Sequence, residues 1–233
     1  MNKNNYFALR KIDWNTYDKY SLPAYLVNLS IDKNACILDF GCGFGQMVLA
    51  LGRAGFLRVE GADINSEAIS HLRSQQVTVY DLTTETSFYD AHEGRYDYVI
   101  MSHVLEHIPK DDIIKQLGLI RKLIKTGGAL ILMVPNAQSN TGCYWAYEDF
   151  THHLLFTSGS LYYVLRGSGF SAVEFLDVDC IAGTTSALRR AARRFFLLLY
   201  QKKVSFWNRV TGSSFHEPSP KIFSYEIKCL ARK

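Results

Sequence analysis

The chain reads as an α/β fold, a parallel sheet with helices on both faces, and three observations predict it. From Ala35 onward, short apolar runs alternate with stretches of helical periodicity, at intervals that suit repeated strand–helix–strand units. The first apolar run ends in Gly41-Cys-Gly-Phe-Gly45 and passes directly into a helical stretch. The next run closes on Asp63, and Asp81-Leu82 follows the third.

Each element is legible in turn. Cys36 to Phe40 is a buried strand, and the helix after the glycines runs through Met47, Val48, Leu49 and Leu51 to a stop near Gly52 to Gly55. Arg58 to Asp63 is a second strand. A helix follows from Asn65 to Ser74, with Ser66 as its start signal and Ala68, Ile69 and Leu72 on one side. Val77 to Tyr80, Tyr98 to Met101 and Ala129 to Val134 are strands three to five. Between the last two, Asp111 to Lys125 carries Ile113, Leu117, Ile120 and Ile124 at helical spacing and ends at Gly127-Gly128. Ser158 to Arg166 is a helix closed by Gly167-Ser-Gly169. Ala172 to Val178 and Ser224 to Leu230 are two further strands, with a long insertion between them.

Composition bounds the function. A chain of 233 residues with 48% hydrophobic and 21% charged residues can bury one sizeable core, which excludes disorder, collagen and coiled coil for the whole. Five widely spaced cysteines without a CxxC pair argue against a disulfide scaffold and a structural zinc site, and favour a reducing compartment. The segment MNKNNYFALRKIDW has no signal-like apolar run, and Phe195 to Tyr200 is far too short to span a bilayer. A cytoplasmic protein is expected. The net charge of +4 is local: seven of the 26 Lys and Arg lie between Leu188 and Val210, where no acid occurs. A general preference for nucleic acid is therefore not expected.

A strand that ends in glycines and turns into a helix presents bare amides and a helix N-terminus at the carboxyl edge of the sheet, where ligands of open α/β sheets bind. The spacing here is GxGxG, unlike the GxGxxG of dinucleotide folds, and a purely structural tight turn would read the same. Asp63, 22 residues after Gly41, can accept both hydroxyls of a ribose, and Asp81 with the Leu82 amide can read an adenine edge. Strand-end carboxylates facing solvent or capping helices are the alternative. Together these strand ends outline an adenosine-shaped site.

The motifs Asp39-Phe-Gly-Cys-Gly-Phe-Gly45, Gly61-Ala-Asp-Ile64, Tyr80-Asp-Leu82, Tyr96 to Pro109 and Leu130 to Asn136 resemble, in order and spacing, those of class I S-adenosylmethionine-dependent methyltransferases. The resemblance covers about residues 30 to 136. It implies a Rossmann-like, doubly wound, seven-stranded sheet, mostly parallel with an antiparallel last strand, and S-adenosylmethionine as cofactor, leaving S-adenosylhomocysteine. By the same likeness Asp39, Gly41, Cys42, Gly43 and Gly45 lie along the methionine part. Asp63 holds the ribose, Ile64 packs on the adenine, Asp81 and Leu82 contact its edge, and Ser102 and His103 sit beneath the sulfonium. Glu106 and His107 are read as bracing the segment before Pro109, without chemistry. The chain is expected to form one domain over 1–233. A helical cap spans 1–34, an acceptor-side loop 136–157, and a basic amphipathic insertion 181–221.

An alcohol acceptor benefits from a base, and histidine is the usual choice. In the acceptor loop, Asp149, Thr151, His152, Phe156, Thr157, Gly169 and Phe170 resemble a pattern of methyltransferases from bacterial polysaccharide and secondary-metabolite pathways. The expectation is His152 as base, Asp149 orienting it, and His103 as rival. Bracing of the loop by His152 is the alternative, because positioning alone can drive transfer. A metal held by Asp149, His152 and His153 is weighed and set aside: no metal is expected. Trp145 and Tyr147 can stack on an acceptor or pack the loop. The predicted reaction is O-methylation of a sugar hydroxyl or phosphate-like group in bacterial surface polysaccharide synthesis. A quinone or secondary-metabolite acceptor is the second reading, and an inactive scaffold subunit the third. In the insertion, Arg189, Arg190, Arg193 and Arg194 fall opposite Leu188, Ala191, Ala192, Phe195, Leu198 and Leu199. Residues 188–210 can meet a membrane or lipid-linked substrate at its inner face, pack on the sheet, or join a homodimer.

Overall fold

In a computed structural model, residues 20–214 and 221–233 are described. The helical cap expected over 1–34 therefore lies largely outside the described residues, as do 215–220 of the insertion. Within the described part the elements run α1 (Ala24–Val27), β1 (Cys36–Phe40), α2 (Gln46–Arg53), β2 (Arg58–Asp63), α3 (Ser66–Ser74), β3 (Val79–Asp81) and α4 (Phe88–Ala91). They continue with β4 (Tyr96–Ser102), α5 (Ile113–Leu123), β5 (Ile124–Pro135), α6 (Gly142–Glu148), α7 (Ser158–Gly167), β6 (Ala172–Leu176), α8 (Ala187–Thr211) and β7 (Glu226–Arg232). One seven-stranded sheet has the order β3-β2-β1-β4-β5-β7-β6. β1 to β5 pair in parallel, and β7 inserts antiparallel between β5 and β6. The order reverses beside β1, between β2 and β4, and a crevice opens outside the carboxyl ends of the strands at such a point.

The central strands are apolar almost throughout because both faces are covered. Leu38, Val99, Leu130 and Leu132 pack with Leu117, Ile120 and Leu123 of α5 on one face. Ile37, Ile100 and Ile131 meet Met47 and Leu51 of α2 on the other. Tertiary pairing sets several boundaries that periodicity misses. β5 begins at Ile124, five residues earlier than expected, because Ile124 pairs with Tyr96. It is Asn65, not Ser66, that caps α3, its side chain accepting from the Ala68 amide at 2.9 Å. Thr157 and Ser160 form a reciprocal capping box that fixes where α7 starts after the acceptor loop.

Two glycines of the loop are needed for packing. Gly41 has φ +75°, and a Cβ there would lie 2.4 Å from Val104 Cγ2. Gly45 has φ +87°, and its Cβ would lie 2.3 Å from Leu72 Cδ2. A side chain at either position meets both a left-handed backbone and an occupied space.

Candidate active site

A cavity of about 1270 Å³ runs along the carboxyl edge of the sheet, from the glycine loop to the acceptor loop. Asp39, Gly41, Cys42, Gly43, Asp63, Ile64, Leu82, Ser102 and His103 line it; Gly45 and Asp81 do not. Asp63, at the end of β2, accepts from Gly43 N–H at 2.7 Å and from the amides of Ile64 and Asn65 at 2.7 and 2.8 Å. Its carboxylate thus ties the glycine loop to the next strand. Beside it Ile64 is 50% exposed, an apolar side chain held at the cavity wall. Asp39 is buried, and burial together with the neighbouring charge of Asp63 pushes its carboxyl up to about 7, against a hydrogen bond from the Val48 amide. Burial and the same two carboxylates raise the Cys42 thiol well above its ordinary range, so it stays protonated.

At the expected adenine edge, Asp81 accepts with one oxygen, Oδ1, from the Thr83 amide and hydroxyl at 2.9 and 2.6 Å, which lowers its pKa, the Thr83 hydroxyl contributing most. The Leu82 amide donates to the Asp63 carbonyl at 3.0 Å, an extension of the β2–β3 pairing. Leu82 lines the cavity and Asp81 does not.

His103 follows β4 with φ 55°, a left-handed conformation that costs a non-glycine residue roughly 1 kcal/mol. Its Nδ1 is 3.3 Å from Glu106 and its Nε2 3.2 Å from Glu226. Burial opposes a charged ring here, but the two carboxylates outweigh it and push the pKa up to about 10. The two carboxylates thus favour the charged ring, which weighs against His103 as the rival base. Burial also opposes ionisation of Glu226. The hydrogen bond from His103 and the charge of Lys228 reverse that and hold its carboxyl below the ordinary range. Lys228 in turn meets Glu226 at 3.1 Å and Asp177 at 3.0 Å. This charge chain on β7 went unseen in the sequence. Its signal was present: Glu226 and Lys228 share one face of a strand in which Ile227, Cys229, Leu230 and Ala231 are apolar and buried.

The acceptor loop is fastened at several points. Asn136 donates to the carbonyls of Ile222 and Ser224, the Ala137 amide donates to the Phe156 carbonyl, and the His153 amide donates to the Glu106 carbonyl. Between these anchors, His152 donates from Nδ1 to the Trp145 carbonyl at 2.8 Å, which in the neutral ring leaves the lone pair on Nε2. Asp149, expected to orient that ring, stands in looser contact with it. Its Oδ2 is 3.8 Å from His152 Nε2, beyond hydrogen bonding, while its Oδ1 accepts from the Thr151 amide and hydroxyl at 3.0 and 2.7 Å. Because the Thr151 hydroxyl donates to Asp149, it accepts from His107 Nδ1 at 2.8 Å. Burial lowers the His107 pKa, so that ring is neutral. The rings of His107 and His152 lie 4.7 Å apart.

Glu106 and His107, read from the sequence as bracing the segment before Pro109, also border the site. Both line the cavity, and Glu106 is wholly buried. Donor atoms of Glu106, His107 and His152 fall within 4.8 Å of one another, a set that can hold a divalent ion. Among the described residues, the trio weighed from the sequence does not form such a group, because His153 turns its amide to Glu106 and its side chain is exposed.

A family model described as "Methyltransferase domain" matches residues 14–174, more than half of the chain. The chain belongs to this methyltransferase family. The ubiquinone biosynthesis O-methyltransferase of Pectobacterium atrosepticum is 34% identical over 105 residues, 43% of this chain and 42% of that protein. The chain thus matches less than half the length of this curated relative. Among solved structures, a SAM-dependent methyltransferase from Archaeoglobus fulgidus has a TM-score of 0.60 at 19% identity, over 95% of this chain and all of that one. The 1,6-didemethyltoxoflavin-N1-methyltransferase of Burkholderia thailandensis, solved with its substrate and S-adenosylhomocysteine, has a TM-score of 0.57 at 19% identity, over 98% and 84% of the two chains. These structures share the seven-stranded fold.

The residues present fit S-adenosylmethionine. Two adjacent carboxylates, one of them buried and pushed up to about 7, suit a ligand bearing an ammonium and a sulfonium group. Ile64 offers the flat apolar wall that a base requires.

Proposed function

We propose that this chain methylates a hydroxyl oxygen of a small, aromatic acceptor with S-adenosylmethionine as donor. One observation carries the reading: a single cavity joins a carboxylate-lined glycine loop to an imidazole whose tautomer is fixed with its lone pair available. Asp39, Asp63 and Ile64 would hold the donor, which supplies an activated methyl group on a positively charged sulfur. His152 Nε2 takes the acceptor's proton as the oxygen attacks that methyl carbon and the S–CH3 bond breaks, its electrons remaining on sulfur. The Trp145 carbonyl holds the ring for this task and favours the imidazolium that results. His103, its charged ring favoured by two carboxylates, is the weaker candidate for that task; with Glu106 and Glu226 it sets the charge of the wall.

The acceptor class rests on the relatives and on the aromatic residues Trp145 and Phe150 beside His152 in the cavity. Those relatives favour a small molecule over the polysaccharide precursor expected from the acceptor-loop pattern. Calorimetry with S-adenosylhomocysteine, and with NADH in parallel, tests the donor site. Labelled-methyl transfer to a series of catechols and to monosaccharides tests the acceptor. Binding of NADH in place of S-adenosylhomocysteine would reject the donor assignment. Binding of S-adenosylhomocysteine without transfer to any phenol would reject the acceptor.

A further inference from the structure

We infer that α8 docks the protein on an anionic lipid surface. The helix has 25 residues and not one of them is buried. Its half-buried positions, Leu197, Tyr200, Gln201, Val204 and Asn208, share one side, and Tyr200 lies against Phe223 with ring centroids 5.5 Å apart. That side faces the body of the protein. On the far side, Leu188, Phe195, Leu199, Phe206 and Val210 fall within about 60° of arc at 3.6 residues per turn. All five are exposed, from 47% at Leu199 to 81% at Leu188. Lys202 and Lys203 flank this stripe, Phe196 and Trp207 widen it, and the sequence places no acid anywhere on the helix.

The occupant is selected by charge. A second copy meeting this face would bring Lys202 and Lys203 of each helix together with no carboxylate on either helix. A bilayer with anionic headgroups supplies the missing charge, and its acyl region accepts the stripe while the lysine stems reach outward. Among the described residues no helix is long and apolar enough to cross a membrane, so α8 lies in the plane of the surface. Arg193 donates to the Cys180 carbonyl and to Thr184, and Arg194 pairs with Asp179 at 3.2 Å. The adjoining Asp177, Ala182 and Gly183 line a second cavity that also reaches Ser102, His103 and Glu226. Docking through α8 would suit a lipophilic acceptor, a step that alone rests on the proposed function.

The test is flotation of the whole chain with vesicles of phosphatidylcholine alone and of phosphatidylcholine with phosphatidylglycerol. Binding is expected to the anionic vesicles and to weaken in high salt. Phe195→Asp with Phe206→Asp, and separately Lys202→Glu with Lys203→Glu, should each weaken it by at least about tenfold. Both variants should keep the wild-type affinity for S-adenosylhomocysteine. Failure of the unaltered protein to float with anionic vesicles at low salt overturns the inference. So does a dimer, measured by light scattering, that Phe195→Asp with Phe206→Asp splits. Loss of S-adenosylhomocysteine binding in the unaltered protein strikes the proposed function and leaves the docking result to stand on its own.

Discussion

Replacing Asp39 by asparagine separates the stability of this fold from its capacity to hold a donor. In the folded chain burial, aided by Asp63, raises the Asp39 carboxyl from 3.8 to about 7. As pH rises through that interval, the unfolded chain gives up a proton that the folded chain retains, so the folded state loses stability. The loss begins near 3.8 and is complete above about 7. At 1.36 kcal/mol per pH unit it amounts to ~4 kcal/mol. Asparagine keeps a carbonyl oxygen for the Val48 amide and cannot ionise. The variant should therefore match the parent near pH 4 and exceed it increasingly toward pH 8, by up to ~4 kcal/mol. Urea unfolding of both proteins at a series of pH values measures the difference, in which carboxylates that do not interact with Asp39 cancel. The same variant should bind S-adenosylhomocysteine more weakly in calorimetry, having lost an anion opposite the ligand's ammonium group. A stability difference that stays flat across this range would refute the buried-carboxylate reasoning.

Four other outcomes are expected. Gly41→Ala should destabilise the fold by ~2–4 kcal/mol, combining left-handed strain with the overlap on Val104; adding Val104→Ala should recover only the overlap, as read by thermal unfolding. Asp63→Asn should weaken S-adenosylhomocysteine binding by ~1–3 kcal/mol in calorimetry, and unchanged affinity would remove the ribose assignment. His152→Ala should lower kcat by ~10²–10⁴ with near-normal S-adenosylhomocysteine affinity, and full turnover in the variant would end its role as base. Glu226→Gln should bring the His103 titration, followed by NMR, down from about 10 toward neutrality, and a titration that does not move would break the charge chain along β7.

The donor half of the cavity was readable because it is local. Each strand end contributes residues adjacent in sequence to the strand, so Gly41 to Gly45, Asp63 and Ile64 announced their position once the strands were recognised. Even there, local hydrogen bonds escaped detection: Asp81 can face a base or fold back on Thr83, and no spacing distinguishes the two. The acceptor half joins residues distant along the chain. His103 meets Glu226 across 123 positions, and His107 meets Thr151 across 44. The protonation of these histidines depends on which neighbours arrive.

What the sequence determined by itself is the alternation of strands and helices, the glycine turn, and the amphipathic pattern of 188–210, since hydrophobic period and backbone freedom are properties of short segments. Only the tertiary structure decided that two carboxylates flank His103, that the Trp145 carbonyl accepts from His152, and that the apolar stripe of α8 faces away from the protein. Burial and electrostatic potential arise from groups brought together by the fold, and neither is encoded in any one stretch of chain.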